Sequence, residues 1–174
     1  LALLYLVRHG EADYSQMMES GFFGFGRDFA SLSKIGIEQV EKMAKDERLK
    51  TAQIIVSSPY TRALQTAAII SRETGLKFCV EVDLHEWIPD KTNQYKTSQE
   101  AFSLAKEFYE NKGVYPKGQQ LKWETFEEVR KRMQRVVEKY AGYEKVIFVG
   151  HSMAFEALTG IENIKPAEII DLKI

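Results

Sequence analysis

The chain is short of cysteine, histidine and proline: one Cys, three His and four Pro in 174 residues. The single Cys79 excludes an internal disulfide, and His9, His85 and His151 are too far apart for metal sites of the finger or ribbon type, so packing must supply the stability. An excess of one charge is missing too. Twenty-four Lys and Arg against 25 Asp and Glu leave a net charge of -1, which excludes the broad basic field that non-specific nucleic-acid or anionic-membrane binding needs. Any anion site must therefore be local. The longest apolar run, Leu1–Val7, is too short to span a bilayer and lacks the basic lead-in and cleavage site of a secretory signal, so a cytoplasmic protein with no membrane or nucleic-acid partner is expected. Repeats and long Pro-, Gly- or Ser-rich linkers are absent as well. With 44% hydrophobic and 28% charged residues, 1–174 reads as a single domain with a sizeable core.

What is present is an alternation of two periodicities. Short apolar or β-branched runs at Ala2–Val7, Gln53–Ser57, Lys77–Val82, Lys145–Val149 and Glu168–Leu172 predict strands. Between them lie helical spacings: Ile37, Val40, Met43 and Ala44; Ala63, Ala67 and Ile70; Phe102, Ala105, Phe108 and Tyr109; Val129, Met133, Val136 and Tyr140. Ser58 before Pro59, Thr97-x-x-Glu100 and Thr125-x-x-Glu128 read as helix starts, and Gly75 and Gly142 as stops. Ser15–Arg27 and Asn111–Lys122 read as surface connections. The alternation predicts a three-layer α/β/α sandwich with a mostly parallel central sheet.

Ligands bind such sheets outside the carboxyl ends of the strands. Arg8, His9, Gly10 and Glu11 follow the first predicted strand, and Ser57, Ser58, Pro59 and Arg62 follow the second. Asp83, His85 and Glu86 follow the third, and Gly150, His151 and Ser152 the fourth. Two guanidiniums at one spot make a bidentate anion site suited to a phosphoryl group, with helix starts after Ser58 and Ser152 adding backbone donors. A neutral imidazole there can attack phosphorus, and a nearby carboxyl can protonate the departing alkoxide and then activate water. Such chemistry needs no metal and no cofactor.

Leu6-Val7-Arg8-His9-Gly10-Glu11 resembles the signature of the histidine phosphatase superfamily, also called phosphoglycerate mutase-like. Further matches follow in the family's order: Leu32-Ser33-x-x-Gly36-x-x-Gln39, Val56-Ser57-Ser58-Pro59-x-x-Arg62-Ala63-x-x-Thr66-Ala67, Leu84-x-Glu86 and Val149-Gly150-His151. The resemblance spans nearly the whole chain and implies a phosphoglycerate mutase-like fold. It implies His9 as the nucleophile that becomes phosphohistidine, Arg8, Arg62 and His151 as holders of the phosphoryl oxygens, and Glu86 as proton donor. His9 must then be neutral at its attacking nitrogen, its other nitrogen donating to a backbone carbonyl, expected from the glycine-containing loop.

The departures are equally specific. Larger members of the family continue with Thr and later Asn where this chain has Ala12 and Ser15, and His151 is followed by Ser152 and Met153 in place of a small Gly pair. Ser15 and Ser152 are the substrate-binding candidates at those positions. Arg-His-Gly-Glu-Ala looks like the small phosphohistidine phosphatases, which generally lack the segment that Leu84-x-Glu86 supplies. The 23 residues after His151 suffice for a helix and a strand, leaving no length for a lid from that end.

These features favour hydrolysis of small phosphomonoesters, the alternatives being a protein phosphohistidine phosphatase, a mutase-type phosphotransferase or a binder without turnover. Asp83, Asp90 and Glu11 remain further candidates for the acid. Gly150-His151-Ser152-Met153-Ala154 also looks like an α/β-hydrolase nucleophile elbow, but no histidine follows His151 to complete that order. Gly21-x-x-Gly24-x-Gly26 reads as a connection, with the aromatics beside it either packed under the loop or forming a pocket wall, and His85 and Trp87 are placed beside the pocket.

Overall fold

The computed structural model describes residues 2–174, so only Leu1 of the expected unit lies outside it. The chain begins with β1 (Leu3–Arg8), β2 (Ala12–Asp13), α1 (Ser15–Glu19), β3 (Ser31–Leu32), α2 (Lys34–Met43) and α3 (Glu47–Lys50). It continues with β4 (Ile54–Ser57), α4 (Thr61–Thr74), β5 (Phe78–Val80), α5 (Ser98–Glu110), α6 (Phe126–Lys139), β6 (Lys145–Gly150), α7 (Ser152–Thr159) and β7 (Ile169–Lys173). The five strands expected from the apolar runs form one sheet in the order β5-β4-β6-β1-β7. It is parallel except for β7, which pairs antiparallel with β1.

Alternation along the strands divides the core. Leu4, Leu6, Val56 and Phe148 pack with Val129 and Met133 of α6 and Phe155 of α7 on one face. Tyr5, Val7, Ile55, Ile147 and Val149 pack with Ala63, Ala67 and Ile70 of α4 and with Leu49 of α3 on the other. The period-2 pattern thus feeds two helical layers, giving the α/β/α sandwich.

Local signals differ in their outcomes. Thr125 and Glu128 complete a reciprocal capping box, and Gly75 ends α4 in the left-handed region at φ 75°. Thr97 caps α5, but Glu100 reaches the Lys96 N–H instead of that of Thr97. Gly142 stops nothing, because α6 ends at Lys139 with Tyr140 as its C-cap. Ser58 is not the cap of α4 either, since Tyr60 takes that position and the Ser58 hydroxyl is held by His151. Ser15–Arg27 is no simple connection: it forms α1 and runs into a 3-10 turn, Gly24–Phe29, while Gly24 adopts φ 64° beneath the Asn93 and Tyr95 carbonyls.

Candidate active site

The carboxyl ends of β1, β4 and β6 deliver the central groups. His9 leaves β1 buried, and its Nδ1 donates to the Gly10 carbonyl at 2.6 Å. The acceptor expected from the glycine-containing loop is therefore the next residue, and Nε2 is left unprotonated. Burial first, then the Arg62 and Arg8 guanidiniums, pull the His9 pKa down to about 3.

The segment around the first helix explains why that loop holds its shape. Ser33 caps α2 by accepting the Gly36 N–H at 2.9 Å and donates to Glu11 Oε1 at 2.7 Å, while Gln39 Oε1 accepts the Glu11 N–H at 2.9 Å. A Cβ on Gly36 would lie 2.0 Å from the Glu11 carbonyl oxygen, so glycine there permits the loop to rest on the helix. Glu11, thus engaged, serves as a clamp.

Around His9 stand Arg62, His151 and Arg8. Arg62, on the first turn of α4, donates from Nε to His9 Nε2 at 3.2 Å and from a terminal nitrogen to the Arg27 carbonyl at 3.2 Å. His151, fully buried, sets its ring centroid 5.1 Å from that of His9. Ser58 Oγ accepts the Tyr60 N–H at 3.3 Å and meets His151 Nε2 at 2.7 Å; the hydroxyl proton has no other acceptor among the described residues, which assigns Ser58 as donor and the ring proton to Nδ1. That Nδ1 and Arg8 Nε are the two buried side-chain polar atoms without a hydrogen-bond partner among the described residues. Both belong to residues that adjoin His9, Arg8 in sequence and His151 by its ring, and buried donors left unpaired suit an incoming anion.

Glu86 approaches from the segment after β5. Oε1 accepts the Trp87 N–H at 2.7 Å and the Ala154 N–H at 3.0 Å, and Oε2 accepts the Met153 N–H at 3.3 Å, so the carboxyl sits at the start of α7. Burial raises its pKa against the opposing pull of those backbone donors and Arg62. Such a carboxyl can hold a proton at higher pH than an exposed one.

The segment bearing Glu86 is pinned by Arg132 of α6. Arg132 donates in a fork to both oxygens of Glu124, at 2.7 and 3.0 Å, and to the carbonyls of Asp83, His85 and Glu86. Both partners are buried. Arg132→Met leaves a buried carboxylate and three carbonyls short of donors, so urea denaturation is expected to show a loss of about 3–5 kcal/mol. Sequence reasoning missed Arg132, although a signal exists: it occupies the buried register of α6 with Val129, Met133 and Val136.

A cavity of about 390 Å³ opens in front of these groups, and Arg8, His9, Arg62, Glu86, Trp87 and Ser152 all line it. Ser15 does not; it is exposed at the start of α1, with its N–H on Asp13, and the neighbouring Tyr14 lines the cavity in its place. His85 is absent from the lining and stacks beside Tyr60 with centroids 6.3 Å apart. Asp83 pairs with Arg135, and Asp90 is spent on the turn to Thr92 and Gln94. The aromatics of the Gly-rich stretch divide: Phe25 reaches the cavity, while Phe22 and Phe29 stack with it on an exposed face. The same stretch brings Arg27 and Asp28 into the wall, neither foreseen from sequence. Among the described residues, no helix is long and apolar enough to cross a membrane.

Known proteins match this arrangement along its length. A candidate phosphoserine phosphatase of Hydrogenobacter thermophilus is 30% identical over 172 residues, covering 92% of this chain and 81% of its own. A protein of Photorhabdus laumondii named for phosphoglycerate mutase is 24% identical over 165 residues, 90% of this chain and 73% of its own. The mycobacterial glucosyl-3-phosphoglycerate phosphatase solved with VO3 superposes with a TM-score of 0.75 at 22% identity, covering 99% of this chain and 91% of its own. Residues 4–174 match the family model of the histidine phosphatase superfamily, branch 1, and the chain belongs to that family.

Proposed function

We propose that the protein is a metal-independent phosphatase that hydrolyses small phosphomonoesters through phosphohistidine on His9. The observation that carries this reading is the pair of unpartnered buried donors, Arg8 Nε and His151 Nδ1, on the two residues that adjoin a His9 whose Nε2 is unprotonated. Arg8, Arg62 and His151 bind the phosphoryl oxygens, and Ser152 at the start of α7 adds a further donor. The His9 Nε2 lone pair gives up the Arg62 Nε–H, which turns to a phosphoryl oxygen, and forms the N–P bond as the ester P–O bond breaks, while Glu86 gives its proton to the departing alkoxide. Water then attacks phosphorus, Glu86 takes the water's proton, and the N–P bond breaks to return neutral His9. The cationic groups stabilise most strongly the charge that spreads over the equatorial oxygens in each transition state.

The cavity volume suits a metabolite, and relatives carry the names of phosphatases for small phosphorylated compounds. Glu86 favours an ester over protein phosphohistidine, whose weaker bond needs less acid. The mutase-named relative keeps phosphoryl transfer to a second alcohol as the alternative. Phosphate release from an aryl phosphate in excess chelator tests the reading, and undiminished turnover is expected. Loss of turnover that a divalent metal restores, or transfer to an added alcohol in preference to water, would overturn it.

A further inference from the structure

Beyond the phosphoryl end, the cavity wall carries a pair of opposite charges that the proposed reaction does not use. Arg27 and Asp28 are consecutive in the 3-10 turn Gly24–Phe29, and both line the cavity. Among the described residues they form no ion pair with each other; the Arg27 side chain completes no hydrogen bond, and the Asp28 carboxyl has the Tyr60 hydroxyl beside it and the charges of Arg62 and Arg27 acting on it. The Arg27 guanidinium lies over the Tyr14 ring, 5.1 Å from its centroid, and Arg62 lies 5.8 Å from the same centroid. The turn is tied to the phosphoryl end, because Arg62 donates to the Arg27 carbonyl. A molecule with its phosphate at Arg8 and Arg62 shares the cavity with these two side chains.

Two opposite charges kept apart in a partly buried wall each remain open to a complementary charge on what enters, which a neutral polyol does not supply. Glu86 is a weaker receptor for a cation, since both its oxygens accept backbone N–H groups. We infer that Arg27 and Asp28 form a zwitterion-reading subsite, Arg27 receiving a carboxylate and Asp28 an ammonium, so that the substrate is a phosphorylated amino acid. This rests on the phosphatase reading and names its substrate class. The aromatic faces of Tyr14 and Tyr60 already accept guanidiniums, and they suit an ammonium in the same space.

Four esters separate the charges: O-phosphoserine carries both, phosphoethanolamine the ammonium alone, phosphoglycolate the carboxylate alone and glycerol phosphate neither. O-phosphoserine is expected to exceed each of the others in kcat/KM by about tenfold or more, since a site built to pair a polar group rejects analogues that lack it. Asp28→Asn is expected to lower kcat/KM for the two ammonium-bearing esters about tenfold more than for phosphoglycolate. Arg27→Gln is expected to penalise the two carboxylate-bearing esters in the same way.

The ratio of phosphoethanolamine to glycerol phosphate turnover should also rise with pH through about 6. Burial pushes the Asp28 carboxyl up to that value against Arg62, the Tyr60 hydroxyl and Arg27, with Tyr95 also nearby. The ammonium makes the phosphate of phosphoethanolamine more acidic than that of glycerol phosphate, so the ratio is compared with that of Asp28→Asn, where the phosphate contribution stays and the rise due to the carboxyl should vanish. Equal losses on all four esters in both variants, or a native preference for glycerol phosphate, would overturn the inference. If no aryl phosphate is turned over, the phosphatase reading fails by itself. Calorimetric binding of the same four compounds to the native chain then reads the subsite, tighter binding of O-phosphoserine supporting it and indifference overturning it.

Discussion

His9→Ala is expected to lower turnover of an aryl phosphate by at least about 10⁴-fold, because the remaining groups can bind phosphate but cannot form the N–P bond. An aryl leaving group needs little protonation, so the loss isolates nucleophilic attack, and a stopped assay of released phosphate measures it directly. The pH profile supplies the second half of this expectation. With Nδ1 donating to the Gly10 carbonyl and the pKa pulled down to about 3, His9 is neutral through the working range and ready to attack. No acid limb due to His9 should therefore appear in kcat/KM above about pH 4. The same shift acts on stability with a definite sign. A histidine whose folded pKa lies below its unfolded value binds protons preferentially in the unfolded state, so acidification below about pH 6.5 weakens the fold. His151, lowered chiefly by its full burial, adds to that slope. Activity per folded molecule should thus outlast stability as pH falls.

The strands and the groups at their ends were legible because both depend on local pattern. Leu4 and Leu6 alternate with Tyr5 and Val7, and the polar residues that interrupt each apolar run mark its carboxyl end, where the topology gathers Arg8, His9, Ser58, Arg62 and His151. Ser58 shows where local reasoning stops. Its hydroxyl suits a helix cap, yet a buried imidazole distant in sequence takes it as a partner, and α4 starts at Thr61 with Tyr60 as its N-cap. The Gly-rich stretch was illegible for another reason. Its shape follows from contacts made elsewhere, among them the Tyr95 hydroxyl on the Gly24 carbonyl and Arg62 on that of Arg27, so no period within the segment announces a 3-10 turn or a half-buried charge pair in a cavity wall. Ser15 was placed by analogy of position alone. The chain turns into α1 at that point and presents Tyr14 to the cavity.

Glu86→Gln is expected to reduce kcat for alkyl phosphates by about 10²–10⁴-fold while reducing it far less for aryl phosphates. The amide nearly preserves the carboxyl's shape and its carbonyl oxygen can still accept from the start of α7, so a large effect reports the lost proton. The alkoxide leaves as a strong base and requires that proton in the transition state, whereas an aryloxide leaves without it. pH dependence makes the assignment sharper. A general acid must be protonated, and burial raises the Glu86 pKa, so alkyl phosphate turnover should fall on the basic side as the carboxyl ionises. In the Gln variant that limb should vanish, leaving a flatter and lower profile. Arg132→Met offers an independent comparison, because it loosens the segment bearing Glu86 while leaving the carboxyl itself in place. At temperatures where that variant stays folded, it should lose alkyl phosphate activity more than aryl phosphate activity and retain the basic limb. An equal loss on both leaving-group classes in Glu86→Gln would move the acid role to another group. Asp28 would then be the first candidate, as a second cavity carboxyl that burial raises to about 6.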